Sequence, residues 1–333
     1  MAMADAMVTI REPDMRHDQV AEWSGMREGH GPHHARHPGC DRGHHGPHGP
    51  GAGEDTPGPG LPEASPPPDT ATLLNAANWT YDRDLANLPA GLRFLEAGGQ
   101  PLALEVTADG FYGAAFLTAA NQLVLAFEGT HISALSSDPE FVAAQVLADG
   151  LIFAGIVPPA FGDAVRFAEA ALAAAAALGI PDTAVYLTGH SLGGGEAAFV
   201  AAQLDLPGET YGAPGLPPGS IPAGASSLLT NYVEYGDPVG NYSAEPDVLN
   251  GFVQSPGILR FGPPSYLGNP LEGLALQAAG ALFGPDSTAE ENAAGLAALG
   301  ALARQYHVLT TYAADLGVKL QAPGEPLSDF PFA

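Results

Sequence analysis

The chain is predicted to be an α/β protein with a mostly parallel central sheet flanked by helices, and two kinds of segment in alternation predict it. Runs of strand length rich in β-branched and aromatic residues (Gln122-Leu-Val-Leu-Ala-Phe127, Ala184-Val-Tyr-Leu-Thr188, Leu228-Leu-Thr-Asn-Tyr-Val-Glu-Tyr235) alternate with Ala-rich stretches without internal proline. Gly- and Pro-containing turns separate them. The stretch from Phe167 to Ile180, closed by Gly179 and Pro181, is the crossover helix expected before the second strand, and Glu196 to Leu204 is the helix expected after it.

The join between that second strand and its following helix is the most informative part of the sequence. It reads Leu187-Thr-Gly-His-Ser-Leu-Gly-Gly-Gly195, with Gly189, His190, Ser191 and Gly193 forming a G-x-S-x-G elbow. A sharp turn of this kind forces Ser191 into a strained backbone conformation and brings strand and helix so close that side chains must be missing, which Gly189 and Gly193 ensure. The helix start supplies N–H groups and a positive dipole end beside the hydroxyl, an environment that favours developing negative charge.

A serine hydroxyl needs a general base. Eight of the 11 histidines fall in the first 48 residues, leaving His131, His190 and His307. His190 adjoins the serine with its side chain expected to point away, and His131 follows a different strand end, so His307 is the base by elimination. The carboxylate that orients it is expected at Asp237, where Gly236-Asp237-Pro238 ends a strand, with Glu234 and Asp247 as competitors. The order Ser191, Asp237, His307 is that of α/β-hydrolases. The oxyanion is expected to meet the backbone N–H of Leu192 and a donor from Thr130, whose N–H and hydroxyl follow Glu128-Gly129.

These landmarks (Ala126-Phe-Glu-Gly-Thr130, Leu187 to Gly194, Thr210-Tyr-Gly-Ala-Pro214, Gly236-Asp-Pro-Val239 and His307) resemble, in order, those of the class 3 lipases, a branch of the α/β-hydrolases. The similarity spans about residues 70 to 320. It implies Ser191 as nucleophile, Asp237 as acid, His307 as base, Thr130 and Leu192 as oxyanion hole, and a lid over an apolar acyl groove made by the segment after Thr130; the chemistry expected of these residues calls for no cofactor or metal. Two positions depart from the family's pattern: Glu128 stands where a basic residue is common, and Glu196 where small apolar residues are. Tyr211 to Gly215 is expected to be a structural turn.

Composition bounds the rest. The first 70 residues, rich in His, Pro and Gly, read as a disordered tail, with at most a short helix in the first 20 and a divalent-metal site among the histidines as the alternative to a solvated one. Residues 71–325 form the expected catalytic domain and 326–333 a C-terminal tail. Within the domain, 131–160 is a candidate lid and 255–302 a candidate cap, both unusually apolar and both bracketing catalytic positions, with core helices packed on the sheet as the alternative reading. The lone cysteine, Cys40, excludes an intrachain disulfide. The net charge of −26, with 26 acidic and 6 basic residues from position 71 on, argues against nucleic-acid partners and against electrostatic docking on anionic lipid.

Neither a signal peptide nor a membrane span is expected. Ser328 to Ala333 resembles the C-terminal export signals of type I secretion, without Gly-Gly-x-Gly-x-Asp repeats, so export without a signal peptide is the expectation and the cytoplasm the alternative. The expected reaction is hydrolysis of lipid esters through an acyl-serine, with transient contact to a lipid interface. Short or polymeric esters, phospholipids, and transfer of the acyl group to another alcohol are the alternatives. A catalytically silent hydrolase-like binding protein with a functional His-rich tail is the rival of another class.

Overall fold

Strand β6 (Leu123–Phe127) is buried along its whole length because both faces of the sheet are covered: Leu123, Leu125 and Phe127 enter one core, Val124 and Ala126 the other. That two-sided burial is why the segment reads as an unbroken apolar run rather than an alternating one. The computed structural model describes residues 65–244, 261–283 and 286–323. The first-20 helix, the His-rich tail, Cys40, Asp247 and the C-terminal tail lie outside the described residues.

The first element among the described residues, α1 (Thr70–Asp82), has no counterpart among the expected elements. Asp69 caps it by accepting from the Thr72 N–H, and it ends where Arg83 turns left-handed at φ 54°. Its Leu73 and Trp79 pack on the sheet, and the Trp79 ring meets Phe94 and Phe116 edge-on at 5.2 and 5.4 Å.

β1 (Leu92–Phe94) and β4 (Ala103–Val106) share one edge of the long strand β5 (Phe111–Thr118), both antiparallel to it, while β2 (Glu96–Ala97) and β3 (Gln100–Pro101) make a separate small hairpin. β5 also runs antiparallel to β6. From β6 on, the sheet is parallel: β6, β7 (Val185–His190), β8 (Gly208–Tyr211), β9 (Leu229–Glu234) and β10 (Pro264–Leu267) lie side by side in that order.

The crossovers are helical. α2 (Pro139–Phe153) and α3 (Pro159–Ala177) join β6 to β7, and α4 (Leu192–Leu204) joins β7 to β8. α3 and α4 bury Phe161, Phe167, Ala197 and Val200 on one face of the sheet. After β9 come α5 (Asn241–Ala244) and, beyond β10, α6 (Glu272–Gly280), α7 (Ala289–Tyr306) and α8 (Leu309–Asp315). α8 joins α1 on the opposite face, where Leu74, Ala77, Tyr211, Leu309 and Tyr312 pack together.

The expected cap at 255–302 is therefore more than one helical excursion. Residues 264–267 are an edge strand of the central sheet, and Leu276, Ala279, Phe283 and Leu299 belong to the main core. Parallel strands place their carboxyl ends on one edge, and onto that edge open the turns after β6, β7, β8, β9 and β10.

Candidate active site

Ser191 sits between β7 and α4 at φ 56°, ψ −126°, a conformation that costs an L-residue on the order of 1–3 kcal/mol. The packing around it explains the neighbouring glycines. A Cβ on Gly189 would strike the Gly193 carbonyl, and one on Gly193 would strike the carbonyl of Phe127 at the end of β6. Leu192 is the first residue of α4, so its N–H belongs to the helix start that has no partner within the helix.

His307 is the residue on which α7 ends, its N–H donating to the Ala303 carbonyl. Its ring Nε2 lies 2.7 Å from Ser191 Oγ and its Nδ1 2.8 Å from Asp237 Oδ2. The three side chains come from the turn after β7, the turn after β9 and the α7–α8 junction. His307 and Asp237 are almost wholly buried, at 2% and 0% exposure, which excludes water from the hydrogen bond that sets the ring's tautomer.

Asp237 is held on both oxygens. The Val239 N–H donates to Oδ1 at 2.7 Å, and the Tyr312 hydroxyl donates to Oδ2 at 2.5 Å. Tyr312 in turn accepts from the Glu234 N–H at 3.4 Å. Behind this group passes Gly212, in the turn after β8 at φ 60°: a Cβ there would stand 2.7 Å from Asp237 Oδ2, 2.8 Å from Tyr312 Oη and 3.0 Å from His307 Nδ1. The turn expected to be only structural thus forms the back wall of the site.

His190 has a part the sequence does not reveal. Its Nε2 lies 2.6 Å from the His307 carbonyl oxygen and its Nδ1 2.8 Å from the Tyr81 hydroxyl. A carbonyl only accepts, so Nε2 carries the proton and Nδ1 accepts from Tyr81. Burial, and then the neighbouring His307, hold His190 well below the ordinary imidazole value, so it is neutral. It ties the backbone of residue 307 to the elbow.

The Thr130 hydroxyl is already engaged, donating to Asp149 Oδ2 of α2 at 2.6 Å, so the donor left for an oxyanion is its N–H. Gln145, also on α2, donates to the Gly129 carbonyl at 3.0 Å and accepts from the His131 N–H at 2.9 Å. The two side chains dock α2 against the turn that carries Thr130. Glu128, fully buried, pairs with Arg83 and with His131, so a basic partner reaches it from the end of α1. Glu196 is also fully buried, and its carboxylate oxygens meet no hydrogen-bond partner among the described residues. Burial, then Glu128 and Asp149, push it well above the ordinary carboxylate range.

A family model described as a phospholipase-like, Tle-like phospholipase domain matches residues 73–289. The chain belongs to this family. No curated protein matches its sequence. Among solved structures, it is similar to a Rhizomucor miehei lipase in a propeptide complex (15% identity, TM-score 0.41, covering 60% of this chain and 65% of that one). It is also similar to a Rhizopus microsporus var. chinensis lipase (16% identity, TM-score 0.39, 59% and 72%) and to the Serratia marcescens extracellular lipase LipA (21% identity, TM-score 0.27, 50% and 28%). The chain thus spans less than two thirds of the Rhizomucor lipase chain.

The matched stretch of this Tle-like phospholipase domain contains Thr130, Ser191, Leu192 and Asp237 and stops short of His307. Glu234, the competing acid, ends β9 close to Asp237 but makes no hydrogen bond to His307; His131 faces Glu128 instead of the serine. Tyr81, Asp149, Gly212 and Tyr312 complete the surroundings of the Tle-like domain's site.

Asp149 makes a measurable prediction. Burial raises its carboxyl to about 6, against the opposing effects of Thr130 and His307. An acid raised on folding stabilises the fold fully below its unfolded value and loses that contribution as pH rises through the folded one, here between about 4 and 6. At pH 8 the ionised group costs about 3 kcal/mol. Asp149→Asn is expected to raise Tm by about 5–10 °C at pH 8 and hardly at all at pH 4 in a thermal melt. The same variant is expected to lower kcat on a soluble ester about tenfold, because Thr130 loses its charged acceptor.

Proposed function

We propose that this domain hydrolyses carboxylic esters of lipids through an acyl-enzyme on Ser191. The observation that carries the reading is the relay from Ser191 Oγ to His307 Nε2 at 2.7 Å and from His307 Nδ1 to Asp237 at 2.8 Å, on a serine held in a strained turn. Ser191 Oγ attacks the ester carbonyl while His307 Nε2 takes its proton. The imidazolium is stabilised by Asp237, and the oxyanion by the N–H groups of Leu192 and Thr130. Collapse of the tetrahedral intermediate breaks the C–O bond, and His307 returns the proton to the departing alcohol. A water, deprotonated by the same ring, then attacks the acyl-serine and releases the carboxylic acid.

Two observations favour lipid esters over small soluble ones. Family membership is the first, and it makes phospholipids the lipid class to test before others. The second is apolar surface on the segment after Thr130, where Leu135, Val146, Leu147, Ile156 and Val157 are exposed. Such side chains suit contact with a lipid surface, and 131–160 is the part of the chain best placed to act as a lid. No helix among the described residues is long and apolar enough to cross a membrane.

The test is a fluorophosphonate probe followed by substrate profiling. The folded protein is expected to label on Ser191 and to lose labelling in Ser191→Ala. It is also expected to release fatty acid from a diacyl phospholipid and to prefer long over acetyl p-nitrophenyl esters. Folded protein that does not label would instead support a silent binding protein, and equal rates on all chain lengths would remove the lipid reading.

A further inference from the structure

The end of α1 meets the site at one side chain. Tyr81, 5% exposed, stands next to the last residue of the helix. Just beyond it Arg83 pairs with Glu128, which clamps this end of α1 to the turn that carries Thr130. The Tyr81 ring meets His131 of the same turn edge-on at 5.5 Å. Its hydroxyl also borders the elbow: a Cβ on Gly129 would strike it, and would stand 2.5 Å from the His190 carbonyl oxygen and 3.1 Å from Ser191 Cβ. The oxyanion turn, the elbow and α1 therefore come together at this hydroxyl.

From there a line of hydrogen bonds runs to residue 307. Tyr81 Oη lies 2.8 Å from His190 Nδ1, and His190 Nε2 lies 2.6 Å from the carbonyl oxygen of residue 307. Residue 307 is where α7 ends, so its carbonyl is one that the helix leaves open, and the His190 N–H fills it. With its proton on Nε2, the ring offers only a lone pair at Nδ1, and the Tyr81 hydroxyl is the donor that meets it. Both ends of the ring thus demand the same tautomer. The ring lies against that of His307, centroids 4.8 Å apart and planes at 35°.

We infer, resting on the hydrolase reading, that Tyr81 and His190 are positioning residues: they form a second relay that holds the backbone of residue 307 against the elbow, so that its ring stays 2.7 Å from Ser191 Oγ. The relay also has an electrostatic part. His307 becomes cationic as it takes the serine proton, and a charged ring 4.8 Å away would oppose this. Burial and His307 hold His190 well below the ordinary imidazole value, with the bond to the 307 carbonyl acting the other way. Donation from Tyr81 favours the neutral ring further, because a hydrogen bond to the Nδ1 lone pair is lost on protonation. The titratable groups that face the ring are Tyr81 from α1, Tyr312 from α8 and His307, and Asp237 bonds the last two.

The test compares Tyr81→Phe, His190→Gln and His190→Ala, each with unchanged circular dichroism, on a soluble p-nitrophenyl ester. Tyr81→Phe is expected to lower kcat about tenfold at neutral pH with KM unchanged, and to move the acid limb of kcat to higher pH. His190→Ala is expected to lose ~10²-fold in kcat, and His190→Gln, whose amide N–H can reach the same carbonyl, to recover most of that. With no ring left to protonate, adding Tyr81→Phe to His190→Gln is expected to leave the acid limb where it is. Long-range ¹H–¹⁵N spectra of the histidine-labelled full chain test the relay without turnover. His190, assigned by its loss in His190→Gln, is expected to carry a proton on Nε2 and none on Nδ1, and not to titrate across the neutral range. A wild-type His190 protonated on Nδ1 overturns the inference. So does an active wild type whose kcat and acid limb are unmoved by Tyr81→Phe while Tm falls, which would make Tyr81 a packing group. A folded wild type that neither labels with the fluorophosphonate nor hydrolyses the ester overturns the hydrolase reading, and takes this inference with it.

Discussion

His307→Ala is expected to lower kcat on a soluble p-nitrophenyl ester by ~10⁵–10⁶ while KM changes little, because in the proposed reaction the ring acts on the proton of Ser191 and not on the bound acyl chain. Asp237→Asn is expected to cost ~10⁴, since an amide at this position presents the wrong hydrogen-bonding partner to His307 Nδ1 and to the Tyr312 hydroxyl. The double variant should be barely worse than His307→Ala alone, because the two groups act as one unit. Steady-state kinetics on variants with unchanged circular dichroism decide this. A His307→Ala enzyme that keeps a tenth of wild-type activity would show that the 2.7 Å contact to Ser191 is not the proton path.

The second large effect is expected from Gly212→Ala. An alanine at φ 60° carries a backbone penalty of roughly 1 kcal/mol, and its methyl would enter the space between Asp237, Tyr312 and His307 at 2.7–3.0 Å. The buried surroundings give little room, so the imidazole must shift by some tenths of an ångström relative to Ser191. Misplacement on that scale is expected to lower kcat by ~10²–10³. Gly179→Ala separates strain from displacement: Gly179 is also left-handed, at φ 77°, with no atom within 4 Å of a Cβ. It should lose stability in a thermal melt and keep its kcat. Equal kcat losses in both variants would refute the argument from position.

The parts of the site that the sequence reveals are those written in local geometry. Gly189, Ser191 and Gly193 report a strand-to-helix turn through spacing alone, and β7 and α4 lie on either side as expected, with α4 beginning at Leu192 instead of Glu196. Strands β6 and β9 were legible because burial on two faces leaves dense apolar runs. What was not legible depends on distant partners. His190 contacts Tyr81 and residue 307, Tyr312 reaches Asp237, and Asp149 reaches Thr130, so none of these has a neighbouring residue to betray it. α1 was missed because it precedes the first landmark and its burial comes from the sheet and α8, not from its own apolar pattern.

Glu196 lies in the first turns of the helix that begins beside Ser191, sealed from water. While it keeps its proton it is a tolerable core group. Once it ionises, the interior must hydrate it, and an acid raised on folding withdraws its support as alkalinity climbs through the folded value. The helix that starts beside Ser191 thus carries an acid whose support for the fold fades as pH rises from the ordinary carboxylate range toward its folded value.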